Sequence, residues 1–223
     1  KRLASMIRPI SIVLVDDHVL VRDMLRQRLA QETDMVVLGC ESNAQDAVRC
    51  CVATHPDVIL LDIDMPGLSA FEGARSIKSQ CPGTRLVFLS AFFHDHYIDQ
   101  ALALEATGYL TKNEPPEVVV RAIRQVMTGA VYFSDEVLAR IVINGDGARL
   151  AHAPESRTRL LTERELEMLA YIARGLSKKE IARTVGISVK TVEQHCTHLM
   201  EKLAIHDRVE LARLAIREGL VEP

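Results

Sequence analysis

The chain contains no tryptophan, and phenylalanine and tyrosine bring its aromatic share to only 4%. Its interiors must therefore be packed with aliphatic side chains, which are plentiful within a hydrophobic fraction of 48% over 223 residues. No apolar run approaches the roughly 18 residues that a bilayer span needs; Val58-Ile59-Leu60-Leu61 is typical of the longest. A secretion signal is not expected either, because Asp16 and Asp17 interrupt the hydrophobic run that follows Lys1, Arg2 and Arg8. No CxxC pair occurs. The five cysteines, Cys40, Cys50, Cys51, Cys81 and Cys196, are odd in number and fit a reduced cytoplasmic thiol set better than a disulfide framework or a zinc site. Neither sign of charge dominates: 27 Lys and Arg stand against 30 Asp and Glu, and residues 160–223 hold ten of each. Global charge thus does not announce nucleic-acid binding, which must be argued from where individual charges fall.

The length suits two domains better than one. Short β-branched runs at 10–15, 35–40, 57–61, 85–90 and 108–111 alternate with amphipathic stretches at 18–31, 43–54, 69–80, 95–106 and 116–128. This rhythm predicts an α/β domain over 10–130, a doubly wound, five-stranded parallel sheet preceded by an extension at 1–9. The runs 10–15 and 57–61 are apolar on both faces, as strands at the centre of a helix-covered sheet must be. Residues 131–159 read as a linker, with a short helix over 134–143 capped by Ser134 and a Gly- and charge-rich stretch at 144–159. From Leu160 the pattern becomes wholly helical. Caps at Thr162, Ser177, Ser188 and Asp207 and breaks at Gly175, Gly186 and 204–206 define helices at 162–173, 177–184, 188–203 and 207–218, a small all-α domain over 160–223.

Asp16 and Asp17 follow the first strand directly, and Asp62 follows the third. Ligands of open α/β sheets bind beyond the carboxyl ends of the strands at the switch point, so these acids should converge there. A hard divalent cation, Mg²⁺, would relieve their mutual repulsion and neutralise an incoming phosphoryl group. Ser90 and Lys112, at the ends of strands four and five, supply the hydroxyl and ammonium that would bind the remaining phosphoryl oxygens. Taken singly, an acid at a strand end is an ordinary loop or cap residue; the whole set, on four strand ends of five, is not.

The DD at 16–17, DxxMPG at 62–67, LSA at 89–91 and GYLTK at 108–112 resemble the receiver domain of bacterial response regulators, a flavodoxin-like fold. The resemblance implies that Asp62 accepts a phosphoryl group from a sensor histidine kinase. It further implies that Asp16, Asp17, Asp62 and the backbone carbonyl of Ile63 hold Mg²⁺, that Ser90 and Lys112 contact the phosphoryl group, and that Tyr109 is the switch aromatic. Three features depart from the pattern: Asp64, Glu105, and the Asn113-Glu114-Pro115-Pro116 that follows Lys112. Asp64, two residues beyond Asp62, is a candidate modulator of hydrolysis and gives an Asp62-x-Asp64 pair similar to the DxD of haloacid-dehalogenase phosphatases, an alternative reading. Glu105 stands where glycine is frequent, so either it adopts a left-handed conformation or the helix before it ends differently.

Residues 177–203 read as a helix-turn-helix whose apolar stripe is Ile181, Val185, Val192, Leu199 and Leu203. The stretch over about 160–220 is similar to the LuxR-type DNA-binding domain, and with the receiver it identifies the chain as a member of the NarL/FixJ response regulators. That resemblance implies base-edge contacts from Glu193, Gln194 and Thr197. Lys178, Lys179, Lys190, Thr191, His195 and Lys202 are then candidates for phosphate contact or positioning. The last helix, 207–218, exposes Val209, Ala212, Leu214 and Ile216 among others, some of which must fill the small core, and the resemblance implies that this helix also forms the dimer contact. The expectation is a cytoplasmic transcription factor, not an enzyme, whose partners are a histidine kinase, promoter DNA and, on activation, a second copy. The alternative is a DNA-binding regulator that does not use phosphate.

Overall fold

Strands β1 (Ile10–Val15) and β3 (Val58–Asp62) are almost entirely inaccessible to solvent, which their uninterrupted aliphatic composition requires. They are described in a computed structural model covering residues 8–65, 67–91, 95–144, 147–150, 157–218 and 220–221. The chain divides into two compact units, the sheet-bearing one reaching Arg149 and the helical one beginning at Leu150.

In the first unit, β1 is followed by α1 (Val19–Leu29), β2 (Met35–Glu41), α2 (Ala44–Thr54), β3, α3 (Ala70–Gln80), β4 (Arg85–Ser90), α4 (Asp95–Ala103), β5 (Gly108–Thr111), α5 (Pro116–Met127) and β6 (Tyr132–Phe133). The sheet order is β2-β1-β3-β4-β5-β6, and every pairing is parallel. Ile12, Leu14, Val58, Leu60, Val87 and Leu89 build one core with α1 and α5. The alternate residues face α2 and α3, where Phe71 and Phe88 meet with ring centroids 5.1 Å apart. Gly73 sits mid-helix because a Cβ there would lie 2.9 Å from the Cβ of Ala44 on α2. All five cysteines are free. Burial raises Cys40, Cys50 and Cys196 and pushes Cys51 up to about 12, which leaves them as apolar packing groups.

The structure corrects the expected outline at four places. A sixth strand, β6, joins the sheet beside β5. The helix expected over 134–143 is a single turn, α6 (Asp135–Leu138), after which β7 (Ile141–Asn144) and β8 (Gly147–Leu150) form a separate two-stranded sheet. Ser134 precedes α6, but its hydroxyl makes no capping bond there. Helix α4 stops at Ala103, short of the expected 106, and Glu105 takes φ +49°. The Glu105 N–H reaches the Leu102 carbonyl and the Ala106 N–H reaches that of Ala101, the paired bonds of a Schellman ending. Lys78 donates to the Leu104 carbonyl at 2.8 Å and to the Glu105 carboxylate at 2.6 Å, which helps hold this non-glycine residue in the left-handed region. Residues 1–7 of the expected extension at 1–9, Pro66 of the 62–67 motif, and residues 145–146 and 151–156 of the expected linker lie outside the described residues.

The second unit contains α7 (Glu163–Ala173), α8 (Lys178–Val185), α9 (Val189–Leu203) and α10 (Arg208–Arg217). The caps fall where their sequence chemistry puts them. Thr162 with Glu165 and Ser177 with Glu180 form capping boxes, and the Ser188 and Asp207 side chains accept from the N–H groups of Thr191 and Glu210. Gly186, at φ +72°, makes the left-handed turn between α8 and α9. Ile181, Val185, Val192, Leu199 and Leu203 are all buried, and Cys196 joins their stripe. Of the four residues named on the last helix, Leu214 is the one that fills the core, since Leu211, Leu214 and Ala215 share the inner face of α10, while Val209 and Ile216 are exposed and Ala212 is half-buried.

Candidate functional site

Parallel pairing brings the carboxyl ends of β1, β3, β4 and β5 to one edge of the sheet, and the order β2-β1-β3 makes the crevice between β1 and β3 the switch point. Asp16 and Asp62 stand on either side of it, both with no exposed surface. Lys112, directly after β5, places Nζ 2.8 Å from Asp16 Oδ2 and 2.8 Å from Asp62 Oδ2. Its backbone is fixed by an N–H bond to the Ser90 carbonyl at 2.8 Å, so the ends of β4 and β5 are held level. The Ile63 N–H donates to the Leu89 carbonyl at 3.0 Å, and the Asp64 N–H to Asp62 Oδ1 at 3.2 Å.

Burial pushes the Asp62 carboxyl up to about 6, with Asp16 adding repulsion and Lys112 opposing both. Burial alone would lower the Lys112 ammonium, but its two carboxylates outweigh it and leave it raised. Asp62 is thus a desolvated carboxyl whose charge is only partly compensated.

Sequence reasoning missed His18 and Arg22. His18 donates its N–H to Asp16 Oδ1 at 2.8 Å and sets Nδ1 2.8 Å from Asp17 Oδ1. The Arg22 guanidinium, one turn into α1, donates to the Asp16 carbonyl. Their signal was position: His18 directly follows the acidic pair, and Arg22 lies four residues further along the helix.

The donor set fits a hard cation. Among the described residues, Asp16, Asp17, His18 and Asp62 each offer a ligand atom, all within 4.8 Å of one another. Asp16 Oδ2, Asp17 Oδ1 and Asp62 Oδ2 are buried and receive no hydrogen bond of good geometry, despite the closeness of Lys112 to two of them. Asp16 and Asp62 share the one Lys112 ammonium, so the clustered acids outnumber the fixed positive charge that faces them, and a further cation fits there.

Tyr109 is fully buried, its hydroxyl hydrogen-bonded to the Ser90 side chain, and burial raises its phenol well above the ordinary value. The expected pocket residues are therefore brought together: Asp16, Asp62 and Lys112 by direct contact, Asp17 with a carboxylate oxygen within 4.8 Å of those of Asp16 and Asp62, Ser90 and Tyr109 as a linked pair beside them, and Asp64, half-buried, at the rim.

In the helical unit, Lys190, Glu193, Gln194 and Thr197 are exposed along α9 at spacings of three and four, which places them on one face; Thr191 and His195 are half-buried. Lys178 and Lys179, at the start of α8, are also exposed, and Lys178 Nζ lies 3.3 Å from Glu193 Oε1. Lys202, also exposed, is paired with an acid of its own unit. Its Nζ lies 2.6 Å from Glu165 Oε2, an atom that also accepts from the Thr162 N–H at 2.7 Å. Burial alone would raise Glu165, but Lys202 and Thr162 hold it below the usual carboxylate value.

A buried aspartate on the third strand of a parallel sheet, beside two further acids and a lysine, together with a helix-turn-helix, is the arrangement of a receiver joined to a DNA-binding unit. Family comparisons agree: the response regulator receiver domain matches residues 12–124, and the luxR family of bacterial regulatory proteins matches residues 159–215. The transcriptional regulatory protein YxjL of Bacillus subtilis is 34% identical over 96% of this chain and 98% of its own length. The oxygen regulatory protein NreC of Staphylococcus carnosus is 34% identical over 95% and 99%. Among solved structures, RcsB of Salmonella enterica serovar Typhimurium, bound to the promoter rprA in the presence of phosphomimetic BeF₃⁻, shares the fold at TM-score 0.64 and 21% identity, over 93% of this chain and 98% of that one. The chain belongs to the NarL/FixJ family of response regulators, transcription factors that join a receiver to a LuxR-type DNA-binding domain.

Proposed function

We propose that Asp62 is the phosphoacceptor, that a sensor histidine kinase in the cytoplasm supplies the phosphoryl group, and that modification promotes homodimeric binding to promoter DNA. The observation that carries this reading is Asp62 itself, with no exposed surface, its carboxyl raised by burial and an ammonium 2.8 Å away. A carboxylate oxygen of Asp62 attacks phosphorus, an O–P bond forms, the P–N bond to the kinase imidazole breaks, and the imidazole nitrogen keeps the electron pair and takes a proton. Lys112 follows the charge from the carboxylate to the phosphoryl oxygens. Ser90 supplies a hydroxyl donor at the same rim. Mg²⁺ held by Asp16, Asp17, Asp62 and the Ile63 carbonyl would neutralise the incoming phosphoryl charge. The protein consumes no substrate beyond its own modification, so we do not read it as an enzyme.

For DNA, the exposed face of α9 is the element that enters the major groove, where Gln194 can pair with adenine and Glu193 can accept from cytosine N4. Lys178, Lys179, Lys190 and Thr191 flank this face as phosphate contacts, His195 positions the helix, and Thr197 lies further along the same face. Residues 10–133, with β6 included, form the receiver, 134–159 the connection and 160–223 the DNA-binding domain. The test is mass spectrometry after acetyl phosphate treatment: the parent gains a phosphoryl group on Asp62, and Asp62→Asn gains none. Undiminished labelling of that variant overturns the assignment.

A further inference from the structure

The sixth strand belongs to what sequence patterning marks as linker, yet it is bonded to the strand that carries Tyr109. Tyr132 pairs with Gly108, and Phe133 with Tyr109. The Tyr132 N–H donates to the Thr107 carbonyl at 2.9 Å, and the Gln125 side chain holds the Val131 carbonyl at 2.6 Å. Gly108 permits this approach, because a Cβ there would lie 3.1 Å from the Tyr132 carbonyl oxygen and 3.0 Å from Val87 Cγ1.

Ser134 closes the arrangement. It is 1% exposed, donates its N–H to the Tyr109 carbonyl at 3.0 Å and its hydroxyl to the same carbonyl at 3.1 Å, and accepts from the Thr111 N–H at 3.2 Å. One hydroxyl thus bridges two residues of β5, and Tyr109 is held twice: at its phenol by Ser90, the last residue of β4, and at its carbonyl by Ser134. Beyond Ser134 the chain runs through α6, β7 and β8 toward the DNA-binding helices.

We propose that Ser134 is a positioning residue that couples Tyr109 to the segment leading to the DNA-binding domain, so that a change at Ser90 on phosphorylation is passed through β5 into β6. This rests on the phosphoacceptor reading above. Ser90 contributes its hydroxyl both to Tyr109 and, when the site is charged, to the phosphoryl group, so the Tyr109 phenol must readjust. A strand clamped to β5 by a buried hydroxyl follows that readjustment, whereas an undocked linker would not.

The test compares the full-length parent, Ser134→Ala and Ser134→Thr, each with and without beryllofluoride. Three quantities are read: modification of Asp62 by acetyl phosphate, DNA affinity on a site selected with the parent, and amide exchange of Tyr132 and Ser134. In the parent, beryllofluoride raises affinity about tenfold and alters exchange at both amides. Ser134→Ala is modified to the parent's extent, but its gain in affinity falls below about twofold, and Ser134→Thr, which restores the hydroxyl, regains most of it. A parental gain in Ser134→Ala overturns the proposal, as does loss of the gain in both variants alike. Should Ser134→Ala fail to fold, the parent decides, because unchanged exchange at Tyr132 and Ser134 on activation shows that β6 receives no signal. A parent that is not modified at Asp62 would instead overturn the phosphoacceptor reading.

Discussion

Replacing Asp62 by asparagine should make the metal-free receiver more stable. Asp62 has no exposed surface, and burial lifts its carboxyl from an ordinary 3.8 to about 6. In the folded state the protonated form is favoured, so this group's contribution is fully present below pH 3.8 and is lost as pH rises through 6. At pH 7 the ionised carboxylate therefore costs about 3 kcal/mol relative to an unfolded chain in which it is solvated. Asp62→Asn keeps the shape and removes the charge, and Lys112 retains Asp16 at 2.8 Å. Allowing for the lost attraction to Lys112, the variant should gain roughly 1–3 kcal/mol at pH 7. Urea unfolding in EDTA, followed through the receiver transition at pH 7 and pH 4.5, measures this. The gain at pH 7 should shrink at pH 4.5, where the parent carboxyl is protonated. A variant less stable than the parent at pH 7, or a gain independent of pH, would refute the argument that Asp62 is held ionised against its surroundings.

The remaining predictions concern lifetime, the DNA-binding face and assembly. Asp64→Asn should slow decay of the phosphorylated protein several-fold, because a carboxylate two residues from Asp62 can orient the attacking water, an effect of ~10²–10⁴-fold when geometry is ideal and less at a solvated rim; decay as fast as the parent's removes Asp64 from the mechanism. Lys202→Ala should destabilise the helical unit by about 1–2 kcal/mol in thermal unfolding, because it strips the buried Glu165 of its cation, and should leave the salt dependence of DNA binding unchanged. Lys190→Ala should instead leave stability alone and reduce the slope of log K against log salt by about one. Light scattering should report a monomer or weak dimer without beryllofluoride and a tighter dimer with it, since two half-sites about one helical turn apart call for a two-fold symmetric protein.

The pocket was legible because its chemistry sits at the ends of strands: once Ile10–Val15 and Val58–Leu61 are recognised as central strands, Asp16 and Asp62 have nowhere to go but the switch point. The caps of α7 to α10 were legible for a similar reason, each being a local contest that Thr, Ser or Asp wins within three residues. What escaped depends on partners distant in sequence. Tyr132–Phe133 is too short to carry a periodicity, and only β5 makes it a strand. Ser134 looks like a helix cap, but the backbone of Tyr109 and Thr111 competes for its hydroxyl. Lys202 looks like a phosphate contact from its place on α9, and only the fold reveals Glu165 37 residues away. The β7–β8 sheet was signalled by Ile141-Val142-Ile143 and by the Asn-Gly-Asp-Gly at 144–147, a hairpin composition that an assignment to linker passed over.

The central claim, that charge placed on Asp62 controls DNA binding by α9, is tested most directly by footprinting on fragments selected by the parent protein, with and without beryllofluoride, for the parent and Asp62→Asn side by side. The account predicts that activation lowers the parent concentration needed for half-protection by about tenfold and leaves the variant where the unactivated parent stands. Protection by the parent that is indifferent to beryllofluoride, or a variant that responds as the parent does, would contradict it.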